Sequence, residues 1–406
     1  MAGALDGIKV LDLGRILSGP YATQLLADLG AEVVKVERPG GPGDEMRAYG
    51  PPFLKDAEGK DTTESAFYMA CNRNKKAICV DISVPEGQEI IRQLAATSDV
   101  LLENFKVGDL VRYGLDYQSI RAVNPALVYC SLTGFGQSGP YATKPGQDLV
   151  FQALSGAMSL TGDLGGAPIR IGMAFGDIMA GMTAAYAIIA ALYHRDAQGG
   201  QGQYIDISIL DATLSALSHR AMAYLLSGEQ PARLGNMTAA SFPAQDFACT
   251  DGAIMLQASQ DAHFARFCKA IGRPEIAADD RYRLRRDRFK NRHEILGTIQ
   301  SILATRSVAE WVELFHKADV MCAPINDMAG AFADPQIRHR EMVVEVPHPT
   351  ATTAKLIRNP VRMSETPLDT YVAPPLLGQH TDEVLRGKLG LDGDKIEKLR
   401  RERVIA

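Results

Sequence analysis

Ile8-Lys-Val-Leu-Asp-Leu13, then the loop Gly14-Arg-Ile-Leu-Ser-Gly-Pro20, then Glu32-Val-Val-Lys-Val-Glu-Arg38 is the stretch that decides the fold. Two short, mostly apolar strands separated by a segment of helical length, ending near Leu29, describe a βαβ unit in a parallel sheet buried on both faces. A dinucleotide site would place G-x-G-x-x-G in the first loop, and this loop offers only Gly14 and Gly19-Pro20, so a nicotinamide reading is weak.

The alternation continues. Lys76-Ala-Ile-Cys-Val-Asp-Ile82 reads as a strand, 85–95 as a helix, Val100-Leu-Leu-Glu-Asn-Phe105 as a strand and Ala126-Leu-Val-Tyr-Cys-Ser-Leu132 as another. The loop Thr133-Gly-Phe-Gly-Gln-Ser-Gly-Pro140 is so rich in glycine that it implies a tight turn or backbone lying close to a ligand. Beyond it, Ile169-Arg-Ile-Gly-Met-Ala-Phe-Gly-Asp177 leads into an apolar helical segment at 182–193 and a strand at 203–210. Near residue 221 the texture shifts. Ser227-Gly-Glu-Gln-Pro231 reads as a linker, short strands and amphipathic helices follow, and the basic patch at 281–292 reads as a solvated helix face. After Pro335 strand-like pieces return. The expected architecture is α/β: a large Rossmann-like parallel-sheet domain formed by 1–220 and 331–406, with a smaller α+β domain inserted at 221–330.

With 406 residues, 46% hydrophobic and 22% charged, the chain is long enough for more than one core. A net charge of -5 without a basic block argues against nucleic acid as partner. The apolar run at 182–192 is too short to span a bilayer and no signal peptide is visible, so neither membrane nor export is expected. Six scattered cysteines with no C-x-x-C spacing read as reduced thiols of a cytoplasmic protein. The histidines show no metal spacing, and no metal is expected.

Asp177 is the focus of the sequence. At the start of an apolar helix it suits an N-cap as well as it suits a reactive carboxylate. Arg38, just past the second strand, lies where such folds meet a nucleotide ribose, and a cation there suits the 3′-phosphate of coenzyme A or the 2′-phosphate of NADP; a solvated surface arginine is the plain alternative.

Together with these residues, Asn72-Arg-Asn-Lys-Lys76, Glu103-Asn-Phe105, Gly134-Phe-Gly136, Gln152-Ala-Leu-Ser-Gly156, Gly176-Asp177, Gly202-Gln203 and Leu377-Gly-Gln-His-Thr-Asp-Glu-Val384 occur in one order along the chain. In this the sequence resembles the class III CoA-transferases, the CaiB/BaiF family that includes formyl-CoA transferase. The resemblance implies an interlocked homodimer and Asp177 as the nucleophile. It implies a coenzyme A site lined by Leu17, Ser18, Arg38, Val80, Ser83, Asn104, Phe105, Lys106, Arg112 and Lys144, within or beside the segments 80–83 and 144–148. CoA thioester would be a substrate, and no permanently bound cofactor is implied. The glycine-rich loop of formyl-CoA transferase is absent, since 233–238 reads Arg-Leu-Gly-Asn-Met-Thr, so oxalate and formate are not the expected acids.

The family also holds α-methylacyl-CoA racemases, which pair a histidine of a Gly-His-Asp motif with an aspartate. Here the motif is Gly146-Gln147-Asp148, and an amide cannot take up and return a proton at neutral pH. Gln147 and Asp148 are therefore read as supporting Asp177 in group transfer, with backbone N–H groups near Gly176 or in 233–238 as oxyanion donors. Asp177 would act ionised. The acceptor is expected to be a small dicarboxylic acid whose distal carboxylate pairs with Arg15, in the loop after the first strand. A racemase-like enzyme, an NADP-dependent oxidoreductase and a silent CoA-binding protein are the alternatives.

Overall fold

The structure, a computed structural model, describes residues 3–406; the first two residues of the N-terminal stretch read above lie outside it. Its first unit, the chain up to Ala157 with Arg170–Glu229 and His339–Ala406, is built on a six-stranded sheet. The strands are β1 (Lys9–Asp12), β2 (Glu32–Glu37), β3 (Lys75–Cys79), β4 (Val100–Glu103), β5 (Val128–Thr133) and β6 (Tyr204–Ser208). All neighbouring pairs are parallel, in the order β3-β2-β1-β4-β5-β6. The order reverses direction between β1 and β4, and in open α/β sheets the crevice at such a reversal is where ligands bind.

Strand pleating sorts the side chains. Val10, Val33, Val100 and Val128 are aligned in register and face α1 (Ser18–Asp28) and α4 (Phe175–Gln198), while Leu11, Val34, Leu101 and Tyr129 face α2 (Pro85–Ala96). Two further helices flank this site, α3 (Asp148–Leu154) and α5 (Ile209–Ala216). The helices Thr381–Leu389 and Gly393–Arg401 return the C-terminus to the α2 face through Val384, Leu385, Ile396 and Leu399. α4 runs 24 residues, twice the apolar segment read from sequence, and a window of mean hydropathy 1.6 makes it long and apolar enough to cross a bilayer. Its buried stripe Ala180, Ala184, Ile188 and Ala191 instead packs in the sheet core. Gly181 permits the closest approach: a Cβ there would lie 2.8 Å from the Ser18 carbonyl oxygen of α1.

The second unit, Met158–Ile169 with Gln230–Arg338, carries an antiparallel sheet of β7 (Ala244–Ala248), β8 (Ala253–Gln257) and β9 (Met321–Pro324). Helices close over it on Phe247, Leu256, Phe264, Trp311 and Phe315. These bounds differ from the expected 221–330. The helix Ser218–Ser227 continues from α5 through Leu217 and stays with the first unit. Residues 158–169 join the second because the Arg233 guanidinium donates to Gly166 O (2.6 Å) and Gly235 N–H to Gly162 O (2.9 Å), contacts with no local sequence signature. The basic patch is not wholly solvated either: Arg288 is fully buried, donating to the Phe242, Tyr282 and Ser259 carbonyls.

Beneath the sheet reversal lies a buried ionic layer. Asp12 Oδ1 accepts from Gly14 N–H (2.8 Å), and Oδ2 accepts from the Thr23 hydroxyl (2.6 Å) and Lys75 Nζ (3.0 Å). Lys35 Nζ donates to Gly14 O and Asp44 Oδ2, both at 2.8 Å. Removing one partner of a buried pair leaves an uncompensated charge. Asp12→Ala is therefore expected to lower stability by about 3–5 kcal/mol, read as a fall in the urea midpoint; a midpoint within experimental error of the wild type would show that Lys75 does not depend on it.

Candidate active site

The loops after β1 and β4 part at the reversal and are tied to each other by one side chain. Asn104 Oδ1 accepts from Arg15 N–H (2.8 Å) and Nδ2 donates to Arg15 O (2.7 Å), as a neighbouring strand would. Arg15 then lays its guanidinium 4.5 Å above the Phe105 ring. Beside this clamp opens a cavity of about 680 Å³ that brings together Arg15, Arg38, Val80, Ser83, Phe105 and Arg112. Three guanidinium groups thus share one cavity. Arg38 is exposed and makes no ion pair among the described residues, while Arg112 and Arg15 reach Asp109 and Glu45 only at 3.8 Å. Arg15 Nε is buried without a hydrogen-bond partner. Underused cations around a cavity of this size suit a phosphorylated ligand.

Sequence reasoning missed the turn Pro39-Gly-Gly-Pro-Gly43, which forms part of the rim and is anchored by Asp44, itself accepting from Ile16 N–H and Met46 N–H. Its proline and glycine content directly after Arg38 was the available signal. Other expected residues lie elsewhere. Leu17 and Ser18 are buried at the start of α1. Asn104 spends its amide on Arg15, and Lys144 stacks 4.0 Å over Tyr141 outside the cavity. Lys106 lines a neighbouring cavity of about 320 Å³ with Glu103, whose carboxyl burial pushes up to about 7.

Asp177 occupies the first turn of α4, but it is not the cap. Ala174 holds that position, and no side chain caps from it. The capping carboxylate comes from α3: Asp148 Oδ1 accepts from Gly176 N–H at 2.7 Å, so this N–H is not a free oxyanion donor. In 233–238 the N–H groups of Gly235, Met237 and Thr238 are likewise bonded to carbonyls. The Asp177 carboxylate is half-buried and makes no hydrogen bond among the described residues. Burial, and secondarily the negative charge of Asp148, pushes it up to about 7. The expectation of a fully ionised aspartate at neutral pH is corrected accordingly. Gln147 is exposed at the cap position of α3.

The glycines of 133–140 serve packing and turns. A Cβ on Gly134 would come within 2.7 Å of the Phe151 ring, and Gly136 and Gly139 have φ of 82° and 95°. Burial pushes the thiols of Cys71 and Cys79 up to about 12, which removes them as nucleophiles. No group of three His, Cys, Asp or Glu able to hold a metal ion occurs among the described residues.

The structure thus offers a nucleotide-sized cavity at a sheet reversal and a half-buried carboxyl raised to about 7 on the helix beside α1. The sequence pattern of CoA-transferase family III matches residues 5–381. The chain is 41% identical over 381 residues to the succinate–glutarate CoA-transferase of Agrobacterium fabrum, covering 94% of both. It is 37% identical over 388 residues to the succinyl-CoA:mesaconate CoA-transferase of Haloarcula hispanica, covering 94% of this chain and 96% of the other. The crystal structure of a CaiB/BaiF family protein from Brucella suis superposes with a TM-score of 0.87 at 38% identity, over 96% of this chain and all of that one. The chain belongs to CoA-transferase family III and is a CoA-transferase.

Carbon-13 NMR of the labelled aspartate carboxyls should show one group, lost in Asp177→Asn, titrating near 7. Because Asp148 is the second cause of the rise, Asp148→Asn should move that midpoint downward. A wild-type midpoint at the ordinary aspartate value of about 4 would refute this electrostatic account.

Proposed function

We infer that the enzyme moves CoA from a dicarboxylic acyl-CoA to a second small dicarboxylic acid through a covalent thioester on Asp177. The observation that carries this is a carboxylate with no hydrogen bond to consume it, on the turn that precedes the Gly181 contact with α1. The dicarboxylic class rests on the relatives named for succinate, glutarate and mesaconate. The racemase alternative has no support from position 147, where the exposed side chain is an amide.

The chemistry needs no net proton. An Asp177 oxygen attacks the thioester carbonyl carbon, the C–S bond breaks, and CoA leaves as thiolate from a mixed anhydride. The thiolate attacks the aspartyl carbonyl carbon and expels the donor acid as its carboxylate, leaving an aspartyl-CoA thioester. The acceptor carboxylate then attacks that thioester carbonyl, the C–S bond breaks and CoA leaves again as thiolate, giving a second mixed anhydride. The returning thiolate takes the acceptor's acyl group and regenerates ionised Asp177. Arg38, Arg112 and Arg15 hold the phosphates of CoA throughout, which keeps the thiol end at the site while it is alternately free and bound.

Asp177→Ala is expected to abolish succinyl-CoA-to-glutarate exchange, with a loss of about three orders of magnitude or more, while the CoA dissociation constant stays within about twofold. In the wild type, hydroxylamine with succinyl-CoA should trap a hydroxamate on Asp177, visible by peptide mass spectrometry. Wild-type exchange in the Ala variant would sink the assignment.

Arg15 sits with the CoA cations, so the acceptor-carboxylate role expected from sequence is not the one its position favours. Arg15→Ala should raise KM for the acyl-CoA more than for the free acid. The opposite split would restore the acceptor role.

A further inference from the structure

The Asp177 carboxylate has no hydrogen bond of its own among the described residues, so its position is set by whatever fixes the first turn of α4. That turn is held from one buried amide. Gln152, on α3, is fully buried. Its Nε2 donates to Asp148 Oδ2 (2.6 Å) and to Met173 O (3.1 Å), and its Oε1 accepts from Ile171 N–H (2.8 Å). Asp148 carries the chain onward, accepting from Gly176 N–H at 2.7 Å. A single side chain therefore fastens the strap 171–173 that leads into α4 and, through Asp148, the residue directly before the nucleophile. Two donors and one acceptor are in use, a set that glutamine supplies and that neither glutamate nor an apolar residue reproduces. Position 176 is packed closely enough to exclude a side chain, since a Cβ there would lie 2.7 Å from Thr213 Oγ1.

We propose that Gln152 is a positioning residue for the transfer reaction, acting through Asp148 and the 171–173 strap to hold the Asp177 carboxylate where the thioester carbonyl arrives. The idea rests on Asp177 as nucleophile, and its role is separable from mere support of the fold. A buried amide that only stabilised the structure would, when replaced, lower the folded fraction and leave the rate per folded site unchanged. A positioning residue changes that rate, since small misplacements of a reacting group cost about a hundredfold.

The measurement is the rate of hydroxamate formation on residue 177 with succinyl-CoA and hydroxylamine, per site competent to bind CoA, in Gln152→Leu and Gln152→Glu beside Asp177→Ala. Gln152→Glu keeps the acceptor for Ile171 and loses the donors, so it provides the test if Gln152→Leu does not fold. A fall of at least tenfold per CoA-binding site, with the CoA dissociation constant within twofold of wild type, is the expected result. A rate within twofold of wild type in the folded variant, with Asp177→Ala inactive, overturns the positioning role and leaves the nucleophile assignment standing. Normal transfer in Asp177→Ala overturns both.

Discussion

Asp12 is the residue on which this site depends. A carboxyl group as completely buried as this one must be paired and hydrogen-bonded, or its burial costs several kcal/mol. The three partners that satisfy it come from three places: the loop after β1, the second turn of α1, and Lys75 at the start of β3. Meeting the requirement of one charge therefore ties a strand end, a helix and a strand two places away in the sheet. Lys35 repeats the device on the other side of Gly14, joining its carbonyl to Asp44. Between them the loop that carries Arg15 is clamped at both faces before any ligand arrives, which is what preorganisation of a binding site requires.

The parts of the fold written into local sequence were legible. β1 and β2 lie within a residue or two of their sequence bounds, and α1 ends one residue before its expected end, because apolar strands and a helix of the right length admit few other readings, although α1 starts at Ser18, three residues inside the stretch read as loop. Arg38 was expected at the sheet edge because its place after β2 follows from topology, and it lines the cavity there. What sequence could not supply was pairing across distance. Asn104 looks like a ligand contact beside Phe105, and only the structure shows its amide spent on the backbone of Arg15, 89 residues earlier. Asp177 looks like an N-cap from its neighbours, yet the cap is Asp148, 28 residues upstream of Gly176. The second unit's bounds differ from the expected ones for the same reason, since 158–169 is joined to it by hydrogen bonds to Arg233 and its neighbours.

The same dependence on distant partners decides the chemistry of Asp177. Its sequence neighbours give an ordinary aspartate, whereas burial and Asp148 give a carboxyl near 7. Asp148 is thus asked for two things that pull apart. As an acceptor for Gly176 it stabilises the helix end, and as a nearby negative charge it disfavours ionisation of the residue one step on. An asparagine would keep much of the first and give up the second, so the presence of a charged residue here points to the electrostatic consequence as part of the design.

That consequence fits the proposed exchange. The acids passed between donor and acceptor are carboxylates with ordinary affinity for protons, about 4 on the pH scale. A nucleophile of the same basicity would hold the acyl group no better than the acid it displaces. One near 7 is a more basic, less solvated attacker, and at neutral pH it gives up only about half of its population to protonation. The same desolvation that raises the carboxyl also shields the anhydride, whose competing fate is attack by water. In the proposed exchange, partial burial of Asp177 would serve attack and protection together, whereas full burial would forfeit attack by closing the approach of the thioester.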